Sequence, residues 1–165
     1  VVSLFPIVFM LHEFEEIIGF KTWVIKDGLW IAKKYPKVAK QISIYERLSV
    51  PAFALAVLEE FILIGIVTAL ALTLQWYSVW IAVFLGFSLH IFIHIGQWMM
   101  VRKYIPIIIT SLLSLPYIFW GTHKIFSEFS LSMIITCFVI GTIVLIVNLR
   151  FVHKLALRYD KIRKK

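Results

Sequence analysis

Seven histidine and glutamate side chains interrupt stretches that are otherwise apolar, and residues of these two types can share a metal ion. They are His12, Glu15, Glu16, Glu59, Glu60, His90 and His94. An acidic group at the centre of a membrane-spanning helix costs about 2.5–3.5 kcal/mol, so four carboxylates require a compensating partner. Imidazole with carboxylate suits zinc, iron or manganese, and the set lacks the thiolate that soft metals prefer. The pattern predicts one or two divalent ions, zinc or iron.

The spacing of these residues indicates which of them share a helical face. The first three are related by i, i+3 and i+4, and the two later histidines by i and i+4, so each set lies on one side of its helix. Glu59 and Glu60 are adjacent and about 100° apart, so at most one of them points straight at a shared centre. Glu13 is off the face of His12 and is left outside the predicted site.

Composition indicates the medium in which these helices lie. The chain has 165 residues, 61% of them hydrophobic and 16% charged, with a mean hydropathy of +0.93. Soluble domains are usually about 45–50% apolar and about 25% charged. The apolar residues form runs longer than 18 residues, as in membrane-spanning helices. A water-soluble globular domain, a disordered chain and a disulfide scaffold are excluded, the last because Cys137 has no partner cysteine.

The distribution of the basic residues fits a division into five spans and predicts their orientation. Seven lie in 21–47, two in 102–103 and seven in 150–165, whereas Lys124 alone falls on the opposite side. The positive-inside rule then predicts an outside N-terminus and a cytoplasmic C-terminus. The expected fold is an all-α, polytopic transmembrane helical bundle with spans over about 1–25, 48–76, 77–101, 104–120 and 131–152.

We expect a single transmembrane domain, 1–165, in the plasma (inner) membrane. Residues 26–46 are predicted to form a cytoplasmic, amphipathic interfacial linker, with short helices capped by Asp27 and opened by Pro36, and 153–165 a basic cytoplasmic tail. No basic segment precedes the first apolar stretch, so a signal peptide is not expected. The net charge is +8, and the basic residues lie between and after the apolar runs. Membrane lipid is therefore the expected partner, and nucleic acid is not. A homo-oligomer is possible.

Depth in the membrane supports one shared centre. At about 1.5 Å of rise per residue, all seven residues fall about 15–24 Å from the outer face of a hydrocarbon layer about 30 Å thick. A buried hydrogen-bonded network without metal is the alternative for the same residues.

His123 and His153 lie near basic residues at the interfaces and are expected to be solvated, and Asn148 is a candidate for a pocket. Small or polar residues of the last two spans are expected to pack helix against helix: Thr110, Ser114, Tyr117, Cys137 and Gly141.

The string His12-Glu13-Phe14-Glu15-Glu16 has the form His-x-x-Glu-Glu near the N-terminus. With the later Glu-Glu pair and His-x-x-x-His, it resembles the HXXEE-domain family of small polytopic membrane proteins, whose biochemical role is undefined. The resemblance implies that the histidine and the last two glutamates of the motif are the functional residues. The CAAX-type intramembrane proteases are a more distant comparison, and the chain departs from them because no arginine follows Glu59-Glu60 at the expected spacing.

The leading hypothesis is a metal-dependent membrane enzyme whose substrate is lipidic or otherwise an apolar small molecule. Hydrolysis is slightly favoured, with Glu16 or Glu60 as the catalytic carboxylate, because it requires no electron donor. A carboxylate-bridged di-iron oxidoreductase of the desaturase or hydroxylase type is the first alternative. A metal or proton transporter or sensor is the second, since intramembrane ionisable residues also mark ion paths. A small structural subunit would leave the polar residues without a purpose.

Overall fold

The computed structural model describes residues 1–163, and over this range the chain is helical with no strands, as predicted. A short 3-10 helix, Val2–Leu4, leads into the first helix, and a short π-helical segment, Glu16–Phe20, follows that helix. A second 3-10 turn, Pro36–Val38, precedes the third helix. The α-helices are α1 (Phe5–Glu15), α2 (Lys21–Lys34), α3 (Ala39–Arg47), α4 (Val50–Leu74), α5 (Tyr77–Val101), α6 (Ile108–Glu128) and α7 (Leu131–Arg163).

Three helices of the described chain are long and apolar enough to cross a membrane: α4, α5 and α7. The start of α4 is fixed by Ser49, whose side chain accepts a hydrogen bond from the backbone N–H of Ala52, and by Pro51 in the first turn. The stretches 1–25 and 104–120 are largely helical, but α1 ends after 11 residues and α6 contains Pro116. The division into five spans stays a prediction.

The first helix does not end at the His-x-x-Glu-Glu string. The backbone passes through the π-helical segment into α2 without a break, so the expectation of a separate helix capped by Asp27 is wrong. Asp27 lies inside α2 and forms an ion pair with Lys103, at 3.5 Å from Oδ1 to Nζ. Pro36 does open a helical turn, as predicted. Gly19 of the π-helical segment lies against Pro106, where a Cβ atom would be 2.5 Å from the proline Cβ.

The closest helix contact joins α5 to α7 and depends on Gly141. A Cβ atom at this position would lie 1.9 Å from the carbonyl oxygen of Ala82, so no larger residue fits the crossing as built. Gly86 faces the same contact, and Cys137 donates from Sγ to the carbonyl of Ser78 at 3.4 Å. Small residues allow helix backbones to approach in this way. The predicted packing role of Gly141 and Cys137 is confirmed.

Aromatic rings set the position of α1 against α5. Phe5 contacts Trp80, Phe84 and Phe87 at centroid distances of 5.4–6.0 Å, and Phe9 contacts Phe87 at 6.0 Å. Tilted and edge-on aromatic pairs of this kind contribute about 0.5–1.5 kcal/mol each beyond the area that they bury. The rings fix the rotation of α1, and its next two turns therefore present the His-x-x-Glu-Glu string to α5.

Candidate metal centre

Four of the predicted ligands converge between α1 and α5. One atom each from His12, Glu16, His90 and His94 lies within 4.8 Å of all the others. Glu16 Oε1 is 3.1 Å from His94 Nε2, 3.4 Å from His12 Nε2 and 4.0 Å from His90 Nε2. The Nε2 atoms of the two α5 histidines are 2.7 Å apart. Bonds of about 2.0–2.1 Å in a tetrahedral site separate ligand atoms by about 3.3 Å, which lies within this range of distances.

The local reason for this convergence is helical periodicity on both sides. His12 and Glu16 are one turn apart on α1, and His90 and His94 are one turn apart on α5, so each pair points from one face. His12 is fully buried, and Glu16 is 8% exposed. The expected shared centre therefore exists, although it contains four of the seven residues that the sequence indicated.

A hydroxyl group on α6 fixes the tautomer of His12. The Oγ1 atom of Thr110 is 2.5 Å from Glu15 Oε2 and 3.1 Å from His12 Nδ1. The carboxylate can only accept, so the single hydroxyl hydrogen of Thr110 goes to Glu15. The hydroxyl oxygen must then accept from His12, and His12 carries its hydrogen on Nδ1. Its Nε2 atom is left with a free lone pair directed at the other three ligands.

His94 is oriented in the same sense by its own helix. Its Nδ1 atom lies 3.1 Å from the amide oxygen Oε1 of Gln97, which accepts a hydrogen bond from the ring. His94 Nε2 is therefore also a lone-pair atom. Metal-bound histidines commonly donate the other ring N–H to an oxygen in this manner.

Several lone pairs therefore face one another in the buried cluster, and there are too few hydrogen-bond donors to satisfy all of them. Within the described chain, His12 Nε2 and Glu16 Oε1 are buried atoms with no hydrogen-bond partner. Buried polar atoms are rarely left in this state, and facing lone pairs repel one another. A cation placed among them satisfies all at once, and the donor set of three imidazole nitrogens and one carboxylate oxygen fits a divalent metal.

Glu15, which the sequence also indicated as a ligand, lies outside the four-residue group. Its carboxylate accepts hydrogen bonds from the backbone N–H groups of Thr110 and Ile109, at 2.8 and 3.4 Å, and from the hydroxyl of Tyr104 at 3.1 Å. The first N–H groups of α6 lack partners within their own helix, and a carboxylate is their natural acceptor. The consecutive glutamates of the motif therefore have different surroundings.

Glu59 and Glu60 also lie outside the four-residue group. Both accept from the side-chain amide of Asn148 on α7, at 3.3 Å for Glu59 Oε2 and 3.5 Å for Glu60 Oε1. Helix α4 packs against α1 and α7, and this packing turns the pair toward Asn148. The expectation that Asn148 has a pocket role is confirmed, because it lines a cavity together with Glu60.

That cavity lies between α1, α4, α5 and α7 and contains about 520 Å³ of empty space, part of it open to the surroundings. Its polar wall is formed by Glu13, Glu60, His90 and Asn148, and the remaining wall is apolar. His90 thus connects the cavity to the four-residue cluster. Glu13, which the helical-face argument left out, is only 4% exposed and lines the cavity. Its acidic character in an apolar run was the sequence signal that could have included it.

A second, smaller cavity reaches Glu16, and its wall combines the polar side chains of Lys21, Tyr45 and Ser49 with a larger number of apolar residues. Lys21 donates to the carbonyl of Glu46 across this opening. Burial, followed by the nearby charges of Glu16 and Glu60, raises the pKa of Tyr45 to about 12. Its hydroxyl therefore stays protonated and donates to His153 Nε2 at 2.9 Å. His153 is accordingly held by a hydrogen bond rather than solvated as expected, whereas His123 is exposed as predicted.

Comparison with models of known protein families gives a match. The model of a family described as "Protein of unknown function with HXXEE motif" matches residues 3–121, a range that contains all four members of the cluster, Thr110 and both glutamate pairs. Comparison with curated proteins and with solved structures found no match.

Proposed function

The chain belongs to the HXXEE family, and from its buried cluster we propose that it is an integral membrane metalloprotein, a metal-dependent enzyme that acts on a lipidic or apolar substrate. One observation carries the proposal: three imidazole Nε2 atoms and one carboxylate oxygen face one another within 4.8 Å. The Nδ1–H groups of His12 and His94 donate hydrogen bonds to Thr110 and Gln97, so the Nε2 lone pairs of both rings point into the cluster. The HXXEE string supplies two of the four ligands.

The geometry favours one ion over two. A carboxylate-bridged metal pair in a helical bundle takes several inward carboxylates. Here the group contains Glu16 alone, because Glu15 is held by α6 and the pair on α4 is held by Asn148. This arrangement favours hydrolysis over the di-iron alternative. Zinc suits the donor set of three imidazoles and one carboxylate.

A bound divalent ion would supply a Lewis acid and lower the pKa of a coordinated water. The carboxylate of Glu60, on the wall that also contains His90, is placed to take a proton from an attacking water. The water oxygen forms a bond to the acyl carbon, the bond to the leaving oxygen or nitrogen breaks, and the carboxyl group returns the proton to the leaving group. Glu16, as a ligand or as a second base, lies 3.1 Å from Nε2 of His94.

The two cavities support separate routes to the cluster for the substrate and for water. The larger one has a mostly apolar wall and reaches the cluster at His90, as a lipidic substrate requires. The smaller one reaches Glu16 beside Lys21, Tyr45 and Ser49, whose polar groups can bind water or an ion on a wall that is otherwise apolar. A hydrolase for apolar substrates needs both routes, because its two reactants come from different media.

We further propose that the protein is a multi-pass protein of the plasma (inner) membrane with five spans, an outside N-terminus and a cytoplasmic C-terminus. Three helices satisfy the length and apolarity requirement. The distribution of basic residues, with Lys124 alone on one side, supports the other two spans and the orientation. The smaller cavity then opens on the cytoplasmic side, where Lys21 lies.

Elemental analysis by mass spectrometry tests the metal centre. Protein purified in detergent without chelator is expected to contain one zinc or iron per chain. The variants His12→Ala and His94→Ala should lose it, because each removes a ligand and leaves the others too few. His123→Ala is the matched control, since it removes an exposed imidazole far from the cluster. The metal proposal is wrong if wild-type protein contains no stoichiometric metal, and a proton path or transport role would then explain the cluster better.

A further inference from the structure

The larger cavity combines an apolar wall with a carboxylate for which residues 1–163 provide no counter-charge. Glu13 is 4% exposed and lines the cavity together with Glu60. The described chain shows no hydrogen bond or ion pair for its carboxylate, and the lysine ion pairs found in residues 1–163 join Lys103 to Asp27 and Lys124 to Glu128. A buried carboxylate without a partner is costly, so the cavity favours a guest that brings one.

Besides His90, the polar part of the cavity wall consists of Glu13, Glu60 and Asn148. The amide of Asn148 donates hydrogen bonds to Glu60 but carries no charge. Glu13 is therefore the acidic group of this wall that has no partner among the described residues, and an amine forms an ion pair with it whichever of the two carries the proton beforehand.

We propose that this cavity binds a lipophilic amine in its protonated form, with the ammonium group against Glu13 and the alkyl chain along the apolar wall. Phe9, Phe87 and Val144 are part of that wall. An anionic lipid would meet like charge, and a neutral alcohol or ester of the same length would leave Glu13 without a cation. An alkyl ammonium supplies both the charge and the apolar body. One part of this inference, that an amine-bearing lipid is the substrate class, rests on the proposed function.

Equilibrium binding in micelles of an uncharged detergent tests the proposal, with tritiated dodecylamine as the probe. We expect saturable binding near one molecule per chain. Unlabelled dodecylamine should displace the probe at least about tenfold better than dodecan-1-ol or dodecanoic acid, because only the amine forms a charge-assisted hydrogen bond with a carboxylate. This ligand series needs no variant and therefore holds even if a substitution impairs folding.

Glu13→Gln keeps the shape of the side chain and removes its charge, so it should weaken dodecylamine binding by about tenfold or more. Glu128→Gln makes the same chemical change at an exposed ion pair and should leave binding unchanged. Equal displacement by the alcohol, or unaltered binding in Glu13→Gln, would overturn the inference. Metal content measured on the same samples separates the two proposals: a metal-containing protein without amine selectivity refutes this one alone, and amine selectivity without metal refutes only the enzyme.

Discussion

Thr110 has one hydroxyl hydrogen, and the direction in which it is donated decides how His12 can act. The Glu15 carboxylate takes that hydrogen, so the hydroxyl oxygen accepts from His12 Nδ1 and leaves Nε2 free to bind. Glu15 is thus a positioning residue that works through Thr110, whereas Glu16 faces the histidines directly. At the scale of single residues, the motif divides into two candidate ligands and one orienting carboxylate.

Thr110→Val is expected to weaken metal binding by about 10–100-fold, the usual effect of removing a partner that orients a metal-bound histidine. The substitution keeps the volume of the side chain but removes the acceptor for His12. Metal affinity measured by competition with a chelator of known strength checks this expectation. Thr110→Ser retains the hydroxyl and should restore nearly all of the affinity, a rescue that a purely packing role of the methyl group would not produce.

Helix packing brings the ligands together, and its tightest point lies two helical turns from them. Gly141 of α7 lets the backbone reach the carbonyl of Ala82 on α5, and Gly86 of α5 lies at the same crossing, one turn before His90. The aromatic rings of α1 pack on the other side of α5. Helix α5 is therefore fixed from two sides, and this sets the direction of its histidines.

Gly141→Ala should destabilise the protein by about 1–3 kcal/mol, as overpacking of a well-packed core generally does. An added Cβ atom would be 1.9 Å from the Ala82 carbonyl oxygen, so α5 and α7 must move apart. The measurement is the midpoint of thermal unfolding in detergent. Gly65→Ala is the matched control because no atom lies within 4 Å of its added Cβ, and there alanine should be neutral or slightly stabilising. Equal midpoints for the two variants would contradict the tight crossing.

At the scale of the whole molecule, two cavities reach one buried polar centre and provide two routes to it. The larger cavity reaches it at His90, and the smaller cavity reaches it at Glu16. The assignment of these routes to the lipid and to the cytoplasm depends on the orientation of the chain, which rests on the distribution of its basic residues.

A topology experiment checks that orientation. An enzymatic reporter fused after Lys165 should be active only when its substrate is cytoplasmic, and the same reporter inserted near Ser127 should respond on the outside. The reason is that the five predicted spans leave Lys124 alone on one side of the membrane, whereas the other sixteen basic residues fall on the opposite side. Matched expression of both fusions, verified by immunoblot, is the control. A reversed pattern would mean that the smaller cavity opens on the outer side of the membrane, and it would exclude access to Glu16 from the cytoplasm.

The sequence by itself determined the helical class, the apolar helices α4, α5 and α7, and the ligand types, because hydropathy and i, i+4 spacing are local properties of one helix. It also identified the family through the HXXEE string. Local periodicity cannot fix how far each helix is rotated about its axis. The ring contacts of Phe5, the Gly141 crossing and the α6 N-terminus set those rotations. The tertiary structure therefore decided that Glu16 joins the histidines, and that Glu15 instead orients His12.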